Sequence, residues 1–350
     1  MPEFGYPTNN ELREIAQDLL PRLAADRPVF DFMPIEEPDA WLVSWEQEDS
    51  YTGLQAVRGL NGEPPRVSKV GVKRYNMQPG VYGEYIPLDE TELVVRRQYG
   101  TFGTPVDISD LVMRAQRQLL VRRLDRIETI LWTLLSSGVF SVSGISGAIL
   151  HQDQFALQTY SASVSWATVA TATPLQDLRA VQLLARGHSV RFDRTAQAFV
   201  NQKTANNILQ NTNAADLYGR RVTGLATVNS IPQLNELLTM DNLPNIVPYD
   251  MGYLAEPAVA GAPNAPLSFG TFVPFIPDNT AIVIGKRTDG APLGNYQMVR
   301  NASNPDLGPG AYMKVIDRGE IQVPRAIEVH DGHNGGPAIW FPSAIVRMNV

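Results

Sequence analysis

The chain has 350 residues, no cysteine and a formal charge of −7, with 44% apolar residues. That length permits one large domain or two to three smaller ones with a sizeable core, and the lack of cysteine excludes disulfides, thiolate metal sites and thiol catalysis and fits a reducing cytoplasm. No apolar stretch approaches the ~18 residues of a membrane-spanning helix, and the polar, acidic start MPEFGYPTNNELRE lacks the basic and apolar regions of a signal peptide.

The charge is uneven. Residues 1–50 hold twelve acidic and three basic side chains, whereas 51–82 hold five basic and one acidic. An acidic segment beside a basic one can be self-complementary between copies. Nucleic-acid binding is disfavoured, because phosphate neutralisation needs clustered Lys and Arg.

In chain order, the first predicted element is a short helix over 8–20. Thr8 and Glu11 have capping-box spacing, and Leu12, Ile15, Ala16 and Leu19 form one stripe. Pro21, Pro28, Pro34 and Pro38 then break regular structure. With Phe30, Phe32, Trp41 and Trp45 among them, the stretch reads as an extended arm that docks its aromatics. Strands are predicted over 66–75 and 81–88, joined as a hairpin by the turn Gln78-Pro79-Gly80. A charged two-stranded ribbon has no buried face of its own and gains order by lying on another surface.

Residues 107–137 carry no Gly or Pro. Apolar side chains at Ile108, Leu111, Val112, Ala115, Leu119, Leu124, Ile127, Leu131 and Leu134 recur in helical steps, with Val121 off register. At ~1.5 Å per residue the helix spans roughly 45 Å, with Asp107 or Ser109 as its cap. A helix of that length suggests a flat, extended subunit. After Gly138 the chain turns strand-like over 139–142, 148–150 and 158–164. Helices follow from Thr173-Pro174 to Gly187, over 195–210, and from Ser230-Ile231-Pro232. Residues 255–270, rich in Ala, Pro and Gly, read as a surface loop, and 313–323, 326–329 and 339–348 as strands.

Catalytic signatures are sparse. Ser143-Gly144-Ile145-Ser146-Gly147 misses the spacing of a nucleophile elbow, and Gly285-Lys286-Arg287 is no phosphate loop. His330-Asp331-Gly332-His333 is the single histidine cluster. It could hold a metal with a third ligand from elsewhere, but Gly332, Gly335 and Gly336 make a polar turn the simpler reading. The arginines Arg114, Arg117, Arg122, Arg123 and Arg126 are nearly balanced by Asp107, Asp110, Asp125 and Glu128. Pairing on a solvated or subunit-facing helix is therefore expected in preference to phosphate contact.

Two passages carry a family resemblance. One is Val106-Asp107-Ile108 leading to Asp125-Arg126-Ile127-Glu128, then Trp132, Leu135 and Gly138. The other is Ile246-Val247-Pro248-Tyr249-Asp250 with Tyr253, then Phe275-Ile276-Pro277-Asp278-Asn279 before the apolar run to Gly285. With the order acidic arm, charged hairpin, long helix, α/β lobe and returning strands, the chain resembles the major capsid proteins of tailed bacteriophages. It is similar in particular to the lambda-like major capsid protein E group, with the HK97-like fold.

The resemblance implies an α+β class. It makes 1–50 an N-terminal arm, 51–104 an E-loop, 105–172 a P-domain with spine helix 107–137, 173–300 an A-domain, and 301–350 the returning P-domain strands. It implies a non-enzymatic shell protein of the virion capsid, assembled in the host cytoplasm as hexamers and pentamers. Such a shell encloses double-stranded DNA without reading its sequence and needs no cofactor or membrane. Scaffolding, decoration and portal proteins are the further partners. Arg58, Arg66, Lys69, Lys73, Arg74, Arg114, Arg117, Arg122 and Arg126 become subunit-interface candidates. Phe30, Phe32, Trp41 and Trp45 become arm contacts. Some relatives crosslink an E-loop lysine to a neighbour's asparagine; Lys69 and Lys73 lie in that segment without the context the reaction needs. The rival readings are an encapsulin-type nanocompartment shell, a metal-dependent enzyme using His330 and His333, and a phage tail or connector component.

Overall fold

The computed structural model describes residues 9–48, 54–64, 66, 71–88, 107–143, 148–188, 190–212, 230–255, 271–287, 290–304, 307–319 and 326–350. Thr8, Lys69 and nearly all of the 255–270 loop lie outside them. The elements in order are α1 (Asn9–Ala24), α2 (Val29–Phe32), β1 (Ile35–Glu36), β2 (Val43–Glu48), β3 (Val72–Met77), β4 (Gly80–Leu88), α3 (Ile108–Ser137), β5 (Val139–Ser143), β6 (Ile149–Gln154) and β7 (Gln158–Ser161). Next come α4 (Pro174–Leu184), β8 (Val190–Arg191), β9 (Gln197–Val200), α5 (Gln202–Leu209), α6 (Ile231–Met240), β10 (Asn245–Pro248), β11 (Gly252–Ala255) and β12 (Thr271–Pro274). The chain closes with β13 (Thr280–Ile284), β14 (Lys286–Arg287), β15 (Gly294–Val299), β16 (Tyr312–Asp317), β17 (Ile327–Ile339) and β18 (Ile345–Asn349).

The predicted long helix is present. Asp107 Oδ1 accepts the Ser109 N–H at 3.2 Å, satisfying one orphan donor of the first turn. At the other end Gly138 adopts φ +74°, and its N–H bonds the Leu134 carbonyl at 2.7 Å. This is the left-handed cap that glycine permits. A Cβ there would stand 3.0 Å from the Phe155 carbonyl. The buried face is wider than one stripe. It includes Leu120, Trp132 and Leu135, and it takes in the polar Gln116, Arg123 and Glu128.

Two compact units form. The first comprises Met1–Ser44, Asn76–Glu128 and Gly294–Ala338. Its sheet runs β1-β15-β17-β16, and β4 also pairs with β17. β17 is antiparallel to both β16 and β4, with Val329 opposite Val315 and Ile86. Leu12 of α1, Leu88 of β4, Leu111, Val112, Ala115 and Leu119 of α3, and Ile327 and Val329 of β17 form one core. Each fully buried Leu, Ile or Val contributes about 1.5–3 kcal/mol relative to exposure. Arg27 anchors the turn after α1 to α3, donating to Glu128 at 2.6 Å and Asp125 at 2.5 Å.

The second unit comprises Trp45–Tyr75, Thr129–Leu293 and Ile339–Val350. Its five-stranded sheet runs β10-β9-β13-β18-β7. β13 is buried along its whole length, as the apolar run Ala281–Ile284 favours. Trp132 packs against Phe199 and Tyr249 at ring-centroid distances of 5.3 and 5.5 Å. Buried Asp177 is satisfied by the Trp166 Nε1–H and the Tyr160 hydroxyl, each at 2.8 Å. The Tyr160 hydroxyl is pushed up to about 12 by burial and by that carboxylate.

Several expectations need correction. The first helix continues through Pro21 to Ala24, although proline has no N–H to give the helix there. Residues 21–45 hold a turn of helix and short strands, with Val29, Met33 and Val43 buried between the aromatics. β3 and β4 do not pair with each other: β3 pairs with β2, and β4 with β17. The helix predicted over 195–210 begins with a strand, Gln197–Val200. Ala198-Phe199-Val200 is buried in the sheet, and the α5 helix starts only after Asn201, which caps it by accepting the Thr204 N–H at 2.8 Å. The tetrad 330–333, expected as a turn, lies inside the 13-residue strand β17.

Candidate functional site

The first unit contains a charged cleft built from β17, β4 and α3. Strand alternation sends Ile327, Val329, Asp331 and His333 to one face of β17, where all are buried, and Glu328 and His330 to the other. Gly332 lets the strand pass close under its neighbours, because a Cβ there would lie 2.6 Å from both the Tyr312 hydroxyl and the Tyr82 carbonyl.

On the buried face, Arg123 Nη1 of α3 donates to Asp331 Oδ1 at 2.7 Å, and each side chain is only 5% exposed. Burial raises the Asp331 carboxyl above its usual range, Arg123 opposes that rise and Glu84 adds to it. The His333 Nε2 lies 3.0 Å from the Tyr296 hydroxyl, and its ring stacks on Tyr82 at 5.2 Å. Burial, helped by Arg123 and Arg126, lowers His333 to about 3, so it is neutral at neutral pH. The Tyr82 hydroxyl is pushed up to about 12 by burial, against the pull of Arg126.

Nearer the mouth, Arg122 Nε donates to Glu84 Oε2 at 2.5 Å, and the Arg126 guanidinium stands 6.0 Å from the Tyr82 ring centre. The cleft is open-sided, with a volume of about 160 Å³. Chemically it offers one neutral buried imidazole, two internally paired carboxylates and an arginine-rich rim. That set can hold an anionic group, but it presents no nucleophile with an adjacent general base.

The metal reading of His330 and His333 does not survive this geometry. An odd separation on a strand places the two imidazoles on opposite faces. His330 Nε2 lies 2.8 Å from Glu328 Oε2 and stacks on Tyr85, whereas His333 is buried against Tyr296. Among the described residues no group of three or more His, Cys, Asp or Glu could hold a metal ion. Among them, too, no helix is long and apolar enough to cross a membrane.

A second surface is the stretch 54–64, in which every described side chain is exposed. Leu54, Val57 and Leu60 are 100%, 96% and 95% exposed. Its local bonds are a turn from the Gly62 N–H to the Gly59 carbonyl at 3.0 Å and the Arg58 guanidinium on the Gly62 carbonyl at 3.2 Å.

The structure brings only some of the candidate residues together. Arg122 and Arg126 share the cleft rim. Arg114 and Arg117 are exposed on α3, and Arg66 and Lys73 are exposed elsewhere. Arg74 is exposed and pairs with Glu46 at 2.5 Å. Trp45 is buried between Tyr75 and Phe155, stacked on each at 5.4 Å, whereas Trp41 is 75% exposed and Phe30 and Phe32 are half-buried. Tyr82, Glu84 and Tyr296 carry no mark in the sequence, and Asp331 stands out there only as a neighbour of the two histidines. The Arg123–Asp331 pair is separated by 208 residues, and no local pattern marks it.

No protein-family model matches the chain, and no curated protein matches it. Solved structures do. A chain described as a prophage capsid protein of E. coli CFT073 superposes with a TM-score of 0.57 at 12% identity, covering 96% of this chain and 98% of that one. A phage-related protein of Bordetella bronchiseptica RB50 superposes with a TM-score of 0.52 at 10% identity, covering 95% and 96%. At these identities the likeness is one of fold. The mixed α+β arrangement around the long helix α3 is the HK97-like fold expected from the sequence.

Proposed function

We propose that the chain is the major capsid protein of a tailed phage or prophage. In this reading it assembles as hexamers and pentamers into an icosahedral shell around double-stranded DNA and has no enzymatic role. The observation that carries it is the stretch 54–64, which presents Leu54, Val57 and Leu60 almost wholly to solvent on a chain of this fold. Three large apolar side chains at a spacing of three do not stay in water when a surface can cover them. Each contributes about 1.5–3 kcal/mol on burial, and an apolar patch of this kind marks an interaction site. A neighbouring copy is the cover a tiling subunit always has at hand. Repetition of such a modest contact at every subunit stabilises a closed shell.

The finer placement in the lambda-like group rests on the two sequence passages quoted above. Residues 1–50 then act as the arm, 51–104 as the E-loop, α3 as the spine, 173–300 as the axial domain and 301–350 as the returning strands. Arg58, Arg66, Lys69, Lys73 and Arg74, with the exposed arginines of α3, serve contacts between copies. Scaffolding, decoration and portal proteins complete the set of partners, and the virion capsid is the site of action.

The test is the triple substitution Leu54→Ser, Val57→Ser, Leu60→Ser. It should abolish particle formation while leaving the unfolding midpoint of the unassembled chain unchanged, since these side chains have no intrachain packing to lose. Particles formed in normal yield by the triple variant would refute the reading.

A further inference from the structure

The cleft of the first unit has one charge too many. Arg122 is paired with Glu84 and Arg123 with Asp331, which leaves Arg126 exposed on the rim, 6.0 Å from the Tyr82 ring centre and with no ion pair among the described residues. Deeper in, the Arg123 Nε is buried and has no hydrogen-bond partner among the described residues. A buried unpaired N–H beside an exposed guanidinium is incomplete as it stands. Leu119 lines the same cleft, and Val81 at its edge is exposed. The vacant chemistry is therefore that of a carboxylate flanked by apolar side chains.

The stretch 54–64 carries that chemistry. Glu63 is its one carboxylate, is exposed, and has no ion pair among the described residues. Leu60 lies three residues before it, in the turn that the Gly62 N–H closes on the Gly59 carbonyl, so carboxylate and apolar anchor are close enough to engage one surface together. In the acidic 1–50 segment four of the twelve carboxylates are already engaged. Asp18 is held by Arg22, Asp39 by Arg300, Glu46 by Arg74 and Glu36 by Asn295. A nucleic-acid phosphate fits less well, because Leu119 and the exposed Val81 give the cleft an apolar flank that a sugar-phosphate backbone does not cover.

We propose that this cleft receives the Glu63 side chain of a second copy, with Arg126 as its charged partner and Leu60 seated at the Val81 edge. The inference rests on the shell-forming reading and names the residues of one contact within it.

A charge swap tests it. Arg126→Glu and Glu63→Arg, each alone, should lower particle yield at least about tenfold, because a single repelling pair recurs at every interface. The double variant Arg126→Glu with Glu63→Arg should restore yield to within about threefold of the wild type. Circular dichroism and thermal melting of each unassembled variant show that the chain still folds. If Glu63→Arg assembles normally while Arg126→Glu does not, the cleft takes another anion and the assignment is overturned. A double variant no better than either single overturns it as well. In both cases wild-type shells leave the shell reading standing. A wild-type chain that stays monomeric overturns the shell reading and the contact together.

Discussion

Breaking the Arg123–Asp331 pair from either side should have unequal consequences. Both side chains are 5% exposed at a separation of 2.7 Å, so removing one partner strands a charge in a dry interior. Such losses run to about 3–5 kcal/mol. Asp331→Leu leaves a guanidinium that cannot shed its proton, which puts its cost near the top of that range, about 4–5 kcal/mol. Arg123→Met leaves a carboxyl that burial has already raised and that can neutralise by taking a proton, so its cost is about 2–3 kcal/mol. The double variant, Met and Leu together, should lie within about 1 kcal/mol of the wild type.

The pH dependence follows from the sign of the shift. A carboxyl whose folded-state value is raised contributes stability fully below its unfolded value and loses it as pH rises through the folded one. The cost of Arg123→Met therefore shrinks between pH 7 and pH 4, while that of Asp331→Leu grows, because the variant lacks the carboxyl whose raised value favours the folded state as pH falls. Amide hydrogen exchange in α3 and β17 of the unassembled chain reads these local free energies without requiring the two units to unfold together. Equal, pH-independent single costs that simply add in the double variant would refute the reasoning.

His333 supplies a second pH effect. Its folded value of about 3 lies below the ordinary 6.5, so its contribution is complete above pH 6.5 and is lost as pH falls toward 3. That amounts to about 2 kcal/mol between pH 7 and pH 5, and thermal melts of the unassembled chain should show His333→Gln flattening this acid limb. Gly332→Ala should cost about 1–3 kcal/mol through overpacking, since the new Cβ meets the Tyr312 hydroxyl and the Tyr82 carbonyl at 2.6 Å. Adding Tyr312→Phe should recover only part of that loss in a urea melt, because the Tyr82 contact is backbone.

The parts legible in the sequence were those set by local rules. The period of 107–137 marked α3, Asp107 and Gly138 marked its ends, and the buried run at 280–284 appeared as the fully buried strand β13. What the sequence hid was pairing at a distance. Nothing near Gly80–Leu88 announces that it lies on Ile327–Ile339 in place of Val72–Met77. The glycines of 330–336 suggested a turn, yet they serve close approach inside a strand, where Tyr312 and Tyr82 cross above Gly332. The strand Gln197–Val200 was read as helix because its four residues are too few for a period of two to show against the helical stretch that follows. The cleft was only half visible: Arg122, Arg123 and Arg126 stand among the arginines of the long helix, but the carboxylates that complete it come from β4 and β17.

The central claim is that this chain tiles into a closed shell. Negative-stain electron microscopy of the protein expressed alone, with sedimentation velocity on the same sample, tests that most directly. The account expects icosahedral shells, or hexameric and pentameric capsomers that close into shells as concentration rises. A single small oligomer that persists at every concentration and ionic strength would contradict it.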